Sequence, residues 1–366
     1  MNNKIIKVNP KDCPDELVIK VYEILKKGGV VVLPTETVYG VAAALNVEKG
    51  LSRLKKIKSR KEDEKPFTVH IGDISQTKKF AKPFPECAKR LAKRYWPGPI
   101  TIVVEGKETE SVGLRVPSRL FTRKVLQLST EKGLKIGMPS ANLKSEPPPV
   151  TAQEAYEQIG SKVDLIIDGG KTELSEPSTV IKAIKPKLEV LREGTINKEE
   201  VERTACYTVL YVCSGNTCRS PMAEAISKKL AAESIGVPIE EYSKSGLIFF
   251  SAGTSALDGL PPSRGALEAL KEIGIDISNH RANHISNNLI KRSDIIFCMT
   301  KEHIFRVKST ISIPIPDIDL LSPQGKEISD PFGGDLNIYR KTRDEIEKAI
   351  RARLKSLLKK PWLKRK

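Results

Sequence analysis

Apolar and polar positions along this chain change period from block to block. Over residues 15–27, DELVIKVYEILKK, apolar side chains recur at helical spacing and stop at Gly28 and Gly29, which predicts an amphipathic helix ended by glycine. The next block, VVVLP at 30–34, has no alternation and reads as a buried strand. LEVLREG at 188–194 and TVLYV at 208–212 also read as strands, and SPMAEAISKKLAAE at 220–233 as a helix. Strand-like and helix-like blocks alternate from end to end, so the expected fold class is α/β or α+β layers and not a helical bundle. The helix-then-glycine ending recurs at no fixed period, so no internal repeat is expected. No apolar run approaches the roughly 20 residues of a membrane helix, and residues 1–12 lack a signal peptide's apolar stretch. The expectation is a soluble, cytoplasmic protein with no membrane partner.

At 366 residues the chain is long for one core, and two domains are expected. GTINKEEVERTACY, 194–207, falls between two strand-like blocks and suits a short charged helix or linker, dividing the chain into domains 1–200 and 207–366. Hydrophobic residues at 39% and charged ones at 29%, without low-complexity tracts, indicate folded protein throughout. Cysteines 13, 87, 206, 213, 218 and 298 make neither a disulfide framework nor paired CxxC motifs for zinc, so reduced thiols and no metal site are expected. The net charge of +17 suits polyanionic partners such as RNA or ATP, or reflects a lysine-rich proteome.

YVCSGNTCRS, residues 211–220, sets Cys213 and Arg219 between the TVLYV strand and the helix that follows. Such a loop gathers backbone N–H groups around a concavity and adds the partial positive charge of a helix N-terminus, which makes a place for an oxyanion. These surroundings should lower the Cys213 pKa and make it a thiolate nucleophile, while the Arg219 fork holds two oxygens of a phosphoryl group. Ser220 is placed to donate to the leaving thiolate, Gly215 to permit close backbone approach, and Asn216 to brace the loop from inside. Asp330, on the turn SDPFGGD at 329–335, is the candidate acid for the leaving group. The bland alternative is two core cysteines near an arginine, and a common DP turn.

With FSAGT at 250–254, DISNHRA at 276–282 and SDIIFCMT at 293–300, this loop resembles the low-molecular-weight protein phosphatase family over about residues 207–355. The resemblance implies a four-stranded parallel sheet flanked by helices. It also implies a cysteinyl-phosphate on Cys213, Arg219 as transition-state clamp, Asp330 as general acid, phosphorylated proteins as partners, and no cofactor. Ser214, Gly215, Asn216, Thr217, Cys218 and Ser220 make up its phosphate loop. Tyrosine-phosphate members follow the DP with tyrosines, where this chain has Phe332 and Gly333. Protein-arginine phosphatases, with GNTCRSPMAE and DPFGG, are more similar; in that subgroup Thr217 would help select the phosphoramidate and Asp330 would also contact the guanidinium. A protein-tyrosine phosphatase is the alternative. Arsenate reductases share the fold but need further redox cysteines on a mobile segment, whereas Cys298 sits in an apparent strand. Cys218 is either a protective disulfide partner for Cys213 or a small buried residue.

The first domain has neither a P-loop nor a G-x-G-x-x-G. Lys58 and Arg60 form a K-x-R pair able to hold phosphates, and Arg115, close to the rigid Pro117, suits a carboxylate. Thr35, Ser140, Asn142 and Ser178 offer neutral hydrogen bonds near turns. Taken singly, these are also what a solvated face and ordinary turns contain. Taken in order, PTETVYG (34–40), KIKSRKEDEKPFTVHI (56–71), WPGPIT (96–101), GLRVPS (113–118), MPSANL (138–143), PSTV (177–180) and LREG (191–194) resemble the YrdC-type threonylcarbamoyl-AMP synthase family over about residues 10–198.

That resemblance implies a twisted α/β sheet with a positively charged cavity, in which L-threonine, bicarbonate and ATP become threonylcarbamoyl-AMP and pyrophosphate. The product would serve tRNA threonylcarbamoyl-adenosine modification, with tRNA and tRNA-modification proteins as partners. Thr35, His70, Arg115 and Ser178 would face threonine; Lys58, Arg60, Ser140, Asn142 and Arg192 would face ATP, with Tyr39 and Lys65 as further candidates. Mg2+ accompanying ATP and the cationic side chains would offset charge. Lys144 and Ser145 depart from the family's usual Ser and Gly, and the phosphatase-like half stands where longer members carry a different small domain. The rival from another class is a tRNA or double-stranded RNA binding module, which the abundant lysines and the tail KKPWLKRK would suit.

Overall fold

VVVL and GVAAA offer no polar position to turn toward water, and they become adjacent, wholly buried strands. The computed structural model describes residues 4–9, 13–59, 66–184, 187–310 and 316–358, which fall into two units, Met1–Ala205 and Cys206–Lys366. Arg60 and Lys65 lie outside the described residues, as does the tail at 359–366.

The strands of the first unit are β1 (Ile5–Lys7), β2 (Val30–Leu33), β3 (Gly40–Ala44), β4 (Val69–His70), β5 (Ile100–Glu105), β6 (Ser111–Arg115), β7 (Ile136–Gly137), β8 (Leu165–Asp168), β9 (Thr179–Ile184) and β10 (Lys187–Arg192). They form one mixed sheet in the order β1-β8-β2-β3-β7-β4-β6-β5-β9-β10. Its helices are α1 (Asp15–Lys26), α2 (Glu48–Ile57), α3 (Glu86–Tyr95), α4 (Leu120–Glu131), α5 (Ala152–Ile159) and α6 (Lys198–Ala205). Helix α1 matches the expected span, and Gly28 follows it at φ +74°, the left-handed region that glycine enters without a side-chain clash.

Period-2 alternation within β2 decides how the layers pack. Val31 and Leu33 join Val21 and Leu25 of α1 and Val125 of α4, whereas Val30 and Val32 join Leu54 of α2 and Ala155 of α5. Both faces of the sheet are therefore covered. Toward the other edge, Ile100, Ile102 and Ile181 pack with Leu91 of α3 and with Val201 and Ala205 of α6. Within the stretch 194–207, α6 is a short charged helix whose apolar side chains complete the first core, and Arg90 donates to the Ala205 carbonyl. The first unit runs to Ala205 rather than ending at 200.

In the second unit β11 (Tyr207–Cys213), β12 (Leu247–Gly253), β13 (Ile295–Cys298) and β14 (Asp317–Leu320) pair all-parallel in the order β12-β11-β13-β14. Helices α7 (Arg219–Ile235), α8 (Arg264–Lys271) and α11 (Leu336–Leu357) cover the face carrying Val209, Tyr211, Phe249 and Phe297. Helices α9 (Asn287–Lys291) and α10 (Lys301–Thr310) contribute Ile290 and Val307 to the opposite face, beside Leu210, Val212 and Cys298. Cys298 is fully buried in β13, and burial pushes its thiol up to about 12. A sulfur so placed is an unreactive core residue, which removes it as the mobile redox cysteine of a reductase. In a parallel sheet of this kind, ligand sites form beyond the carboxyl ends of the strands, and β11 ends on Cys213.

Candidate active sites

The chain leaves β11 at Cys213 and enters α7 at Arg219, so five residues form the loop between nucleophile and guanidinium. Asn216 takes φ +52°, a left-handed conformation that asparagine tolerates better than most residues. Its side chain then points inward, where Oδ1 accepts from Asn283 N–H at 2.8 Å and Nδ2 donates to Ser220 Oγ at 2.9 Å. The Asn216 backbone N–H donates to Cys213 Sγ at 3.3 Å, and His280 Nε2 lies 2.8 Å from its carbonyl oxygen. Ser220 Oγ sits 3.0 Å from Sγ and 3.3 Å from the Ala252 carbonyl oxygen. Its single proton can satisfy the carbonyl when the sulfur is a thiol and turn to the sulfur when it is a thiolate.

Burial opposes the thiolate expected from the loop's dipoles. Desolvation pushes the Cys213 thiol up, and the pull of Ser220, the Arg219 charge and the Asn216 N–H does not reverse the net direction. Arg219 is itself buried, donating to Ile328 O at 3.2 Å and pairing with Asp330. The Asp330 side chain is 49% exposed, and its second oxygen accepts the Phe332 N–H at 3.2 Å. Phe332 is 80% exposed, and its ring takes no part in the core. A cavity of about 430 Å³ opens here, bordered by Arg219, Asp330, Ser214, His303, Glu302 and Glu327.

No protein atom approaches the place of a Cβ on Gly215 closer than 3.5 Å, so the space beside that backbone is open. The demanding glycine is Gly253 at the end of β12: a Cβ on it would lie 2.3 Å from Ser214 O and 2.9 Å from Asn216 N. Thr217 is half-buried with Oγ1 3.6 Å from Cys218 Sγ, and Cys218 contacts Ser263 Oγ at 3.1 Å and Tyr339 OH at 3.6 Å. His303 was not singled out by the sequence; it lies 2.9 Å from Ser214 Oγ.

In the first unit the segment after β2 gathers the site. Thr35 Oγ1 donates to Val38 O at 2.6 Å and lies 2.9 Å from Thr37 Oγ1, which in turn accepts from Arg115 at 2.7 Å. Arg115, expected to await a carboxylate ligand, already pairs with the buried Glu36 at 2.6 Å. Sequence reading missed Glu36 and Thr37 although both stand inside PTETVYG. Burial alone would raise the Glu36 carboxyl, but the Arg115 charge and the Ser118 N–H hold it below its ordinary value. Its other oxygen accepts that N–H at 2.8 Å, so the carboxylate fixes the guanidinium on one side and the chain at Ser118 on the other.

His70 stands beside Arg115 as its parallel partner between β4 and β6. Burial, then the Arg115 charge, lowers its pKa to about 3, which keeps the ring neutral. Arg192 reaches from β10 to Ser178 O at 2.7 Å and Oγ at 3.3 Å, and burial and Arg115 lower its pKa as well. Ser178 and Arg192, assigned to different substrates, thus form a single hydrogen-bonded pair. Lys58 Nζ binds Ser140 O at 3.1 Å, Asn142 O at 2.7 Å and Asn142 Oδ1 at 3.1 Å, and Ser140 Oγ reaches Asn142 Oδ1 at 2.5 Å. This cluster is joined to the Thr35 segment where Ala141 N–H donates to Tyr39 O at 2.8 Å. Two groups of cationic and hydroxyl side chains therefore flank one backbone segment, an arrangement able to receive anionic ligands.

The Sua5/YciO/YrdC family model, described as telomere recombination, matches residues 23–194, and that of low molecular weight phosphotyrosine protein phosphatase matches 208–363. Threonylcarbamoyl-AMP synthase of Pyrococcus abyssi is 34% identical over 54% of this chain and 61% of its own length. This chain thus spans about three fifths of that relative. A putative threonylcarbamoyl-AMP synthase of Methanocaldococcus jannaschii, 32% identical, is covered over 99% of its length and 56% of this chain. The protein-arginine-phosphatase of Bacillus subtilis is 33% identical over 41% of this chain and 97% of its own length. A probable low molecular weight protein-tyrosine-phosphatase of Ralstonia nicotianae is 31% identical over 40% and 92%. A solved structure of P. abyssi Sua5 aligns with a TM-score of 0.50 at 23% identity, over 86% of this chain and 98% of that one, a likeness of fold.

Proposed function

The chain belongs to the Sua5/YciO/YrdC family over its first unit and to the low molecular weight phosphatase family over its second, and on that premise we propose that it is a bifunctional enzyme. The first unit makes threonylcarbamoyl-AMP from L-threonine, bicarbonate and ATP, the last as its Mg2+ salt, for tRNA modification. The observation that carries this reading is the Glu36-fixed Arg115 beside a neutral His70. Together they offer one rigid cationic fork and one uncharged hydrogen-bonding ring for the carboxylate and amine side of an amino acid. Lys58, Ser140 and Asn142 would meet the nucleotide. Catalysis would come from holding N-carboxy-threonine in line with the α-phosphate. Pyrophosphate release by the purified chain should require threonine, bicarbonate and ATP together. Retained tRNA or double-stranded RNA binding without that turnover would favour the RNA-binding reading.

The second unit hydrolyses phosphorylated proteins, with phosphoarginine as the preferred substrate. The Cys213 thiolate attacks phosphorus, the N–P bond breaks, and Asp330 gives its proton to the departing guanidine; water then attacks the cysteinyl-phosphate, Asp330 takes up a proton, and phosphate leaves. The arginine preference is supported by the two further carboxylates bordering the cavity, Glu302 and Glu327, which favour a cationic guanidinium over a neutral phenol. Phe332 and Gly333 in place of paired tyrosines point the same way. The tyrosine reading keeps two arguments, the similarity to the Ralstonia protein and the match of residues 208–363 to the phosphotyrosine phosphatase family model. Hydrolysis of phosphoarginine and phosphotyrosine side by side, with Cys213→Ser as control, separates them: dominant phosphotyrosine turnover would overturn the preference.

A further inference from the structure

His303 is buried, 3% exposed, on α10, and its ring bridges Thr300 and the phosphate loop. Nδ1 faces the Thr300 backbone N–H at 3.2 Å and Thr300 Oγ1 at 2.8 Å. A backbone N–H can only donate, so Nδ1 is the unprotonated acceptor, and in a neutral ring Nε2 carries the hydrogen. Burial, then the Arg219 charge, lowers the imidazole to about 4, which leaves the ring neutral at pH 7. Nε2 lies 2.9 Å from Ser214 Oγ and must therefore donate to it. One lone pair of the hydroxyl is thereby filled, and its own proton has to point elsewhere. Among the described residues Ser214 Oγ has no other hydrogen-bond partner. The side chain is exposed to the cavity it shares with Arg219 and Asp330.

We propose that His303 is a positioning residue for phosphoryl transfer, its Nε2–H pinning Ser214 Oγ so that the serine hydroxyl donates to a non-bridging oxygen of the group held by Arg219. The role rests on reading the second unit as a phosphatase and is independent of whether arginine or tyrosine carries the phosphate. An unpinned hydroxyl rotates among three wells and offers its proton to the ligand only part of the time. A pinned one is preorganised, which is where a donor gains most as charge develops on the transferring oxygens. The Arg219 fork and the loop's backbone are fixed by the fold itself, whereas Ser214 needs an external anchor.

The test uses the full chain with phosphoarginine and p-nitrophenyl phosphate, one N–P and one O–P substrate, so that either specificity is covered. Ser214→Ala should lower kcat roughly tenfold with little change in KM, the size of one lost hydrogen-bond donor. His303→Leu should lower kcat by a similar factor, and the double variant should lose no more than either single one. His303→Gln, whose amide can still donate toward Ser214, should recover most of the rate. Losses that multiply in the double variant, or a Ser214→Ala enzyme at wild-type kcat, would overturn the proposal. Nitrogen NMR of the labelled ring gives a readout apart from turnover: the Nε2–H tautomer is expected, and an Nδ1–H ring overturns the assignment whatever the kinetics. A wild-type chain with the expected tautomer but no hydrolysis of either substrate would overturn the phosphatase reading, and with it the role given to Ser214.

Discussion

Cys213 shows how one side chain can carry opposing demands. Its sulfur is fully enclosed, so the charged form is disfavoured, yet three donors converge on it and reduce that penalty. The sign of a pH effect follows. Because the thiol lies above its ordinary value, thiolate should accumulate only as pH rises past the usual cysteine range of about 8.5. Ser220 supplies the side-chain donor 3.0 Å away, so Ser220→Ala should push the titration higher still. The measurement is the rate of Cys213 alkylation by iodoacetamide against pH, with Cys213→Ser as the blank. A midpoint unmoved or lowered in Ser220→Ala would show that the hydroxyl does not stabilise the sulfur anion. Glu36 poses the same problem with the opposite outcome. There the Arg115 charge and the Ser118 N–H prevail over burial, and the carboxylate stays ionised. Neither balance can be read from residue type, since each depends on how many donors the fold brings to one buried atom.

At the level of elements, the phosphate loop is shaped by what lies beneath it. Strand β12 runs beside β11 in register, with Cys213 opposite Gly253, so the loop leaving β11 must pass directly over the end of its neighbour. A methyl group at Gly253 would meet the Ser214 backbone carbonyl at 2.3 Å, and that carbonyl cannot yield without moving the loop. Gly253→Ala should therefore lower phosphatase kcat by on the order of 100-fold, the usual cost of misplacing reacting groups by about 1 Å. It should also destabilise the second unit by about 1–3 kcal/mol. Steady-state kinetics and thermal unfolding of that variant check both. Much of this site was legible in the sequence, because Cys213, Arg219 and Ser220 stand in one contiguous loop and Asp330 is marked by its turn. Gly253 and His303 were not, since their significance lies in partners from other strands and helices. The N-terminal helix is legible from its period and the buried β2 strand from its unbroken apolar run, whereas the place of α6 in the first core is not, because its few apolar positions look unremarkable until α3 and β5 pack on them.

For the whole molecule, the division of the cores matters most. Among the described residues, each hydrophobic cluster draws its members from one unit: three from Met1–Ala205 and two from Cys206–Lys366. The boundary falls between the end of α6 and the start of β11, so it interrupts no strand or helix. Each unit is also large enough to bury a core of its own. Separately expressed 1–205 and 206–366 should accordingly fold as soluble proteins, the first releasing pyrophosphate and the second releasing phosphate at rates near those of the full chain. In the full chain, calorimetry should resolve two unfolding transitions, of which Gly253→Ala lowers one and leaves the other in place. Cys213→Ser should abolish phosphate release without changing pyrophosphate release. A single transition that the glycine substitution shifts as a whole, or fragments that fold only when mixed, would mean that the two chemistries share one cooperative unit. The joining of the two units in one chain would then have a structural reason.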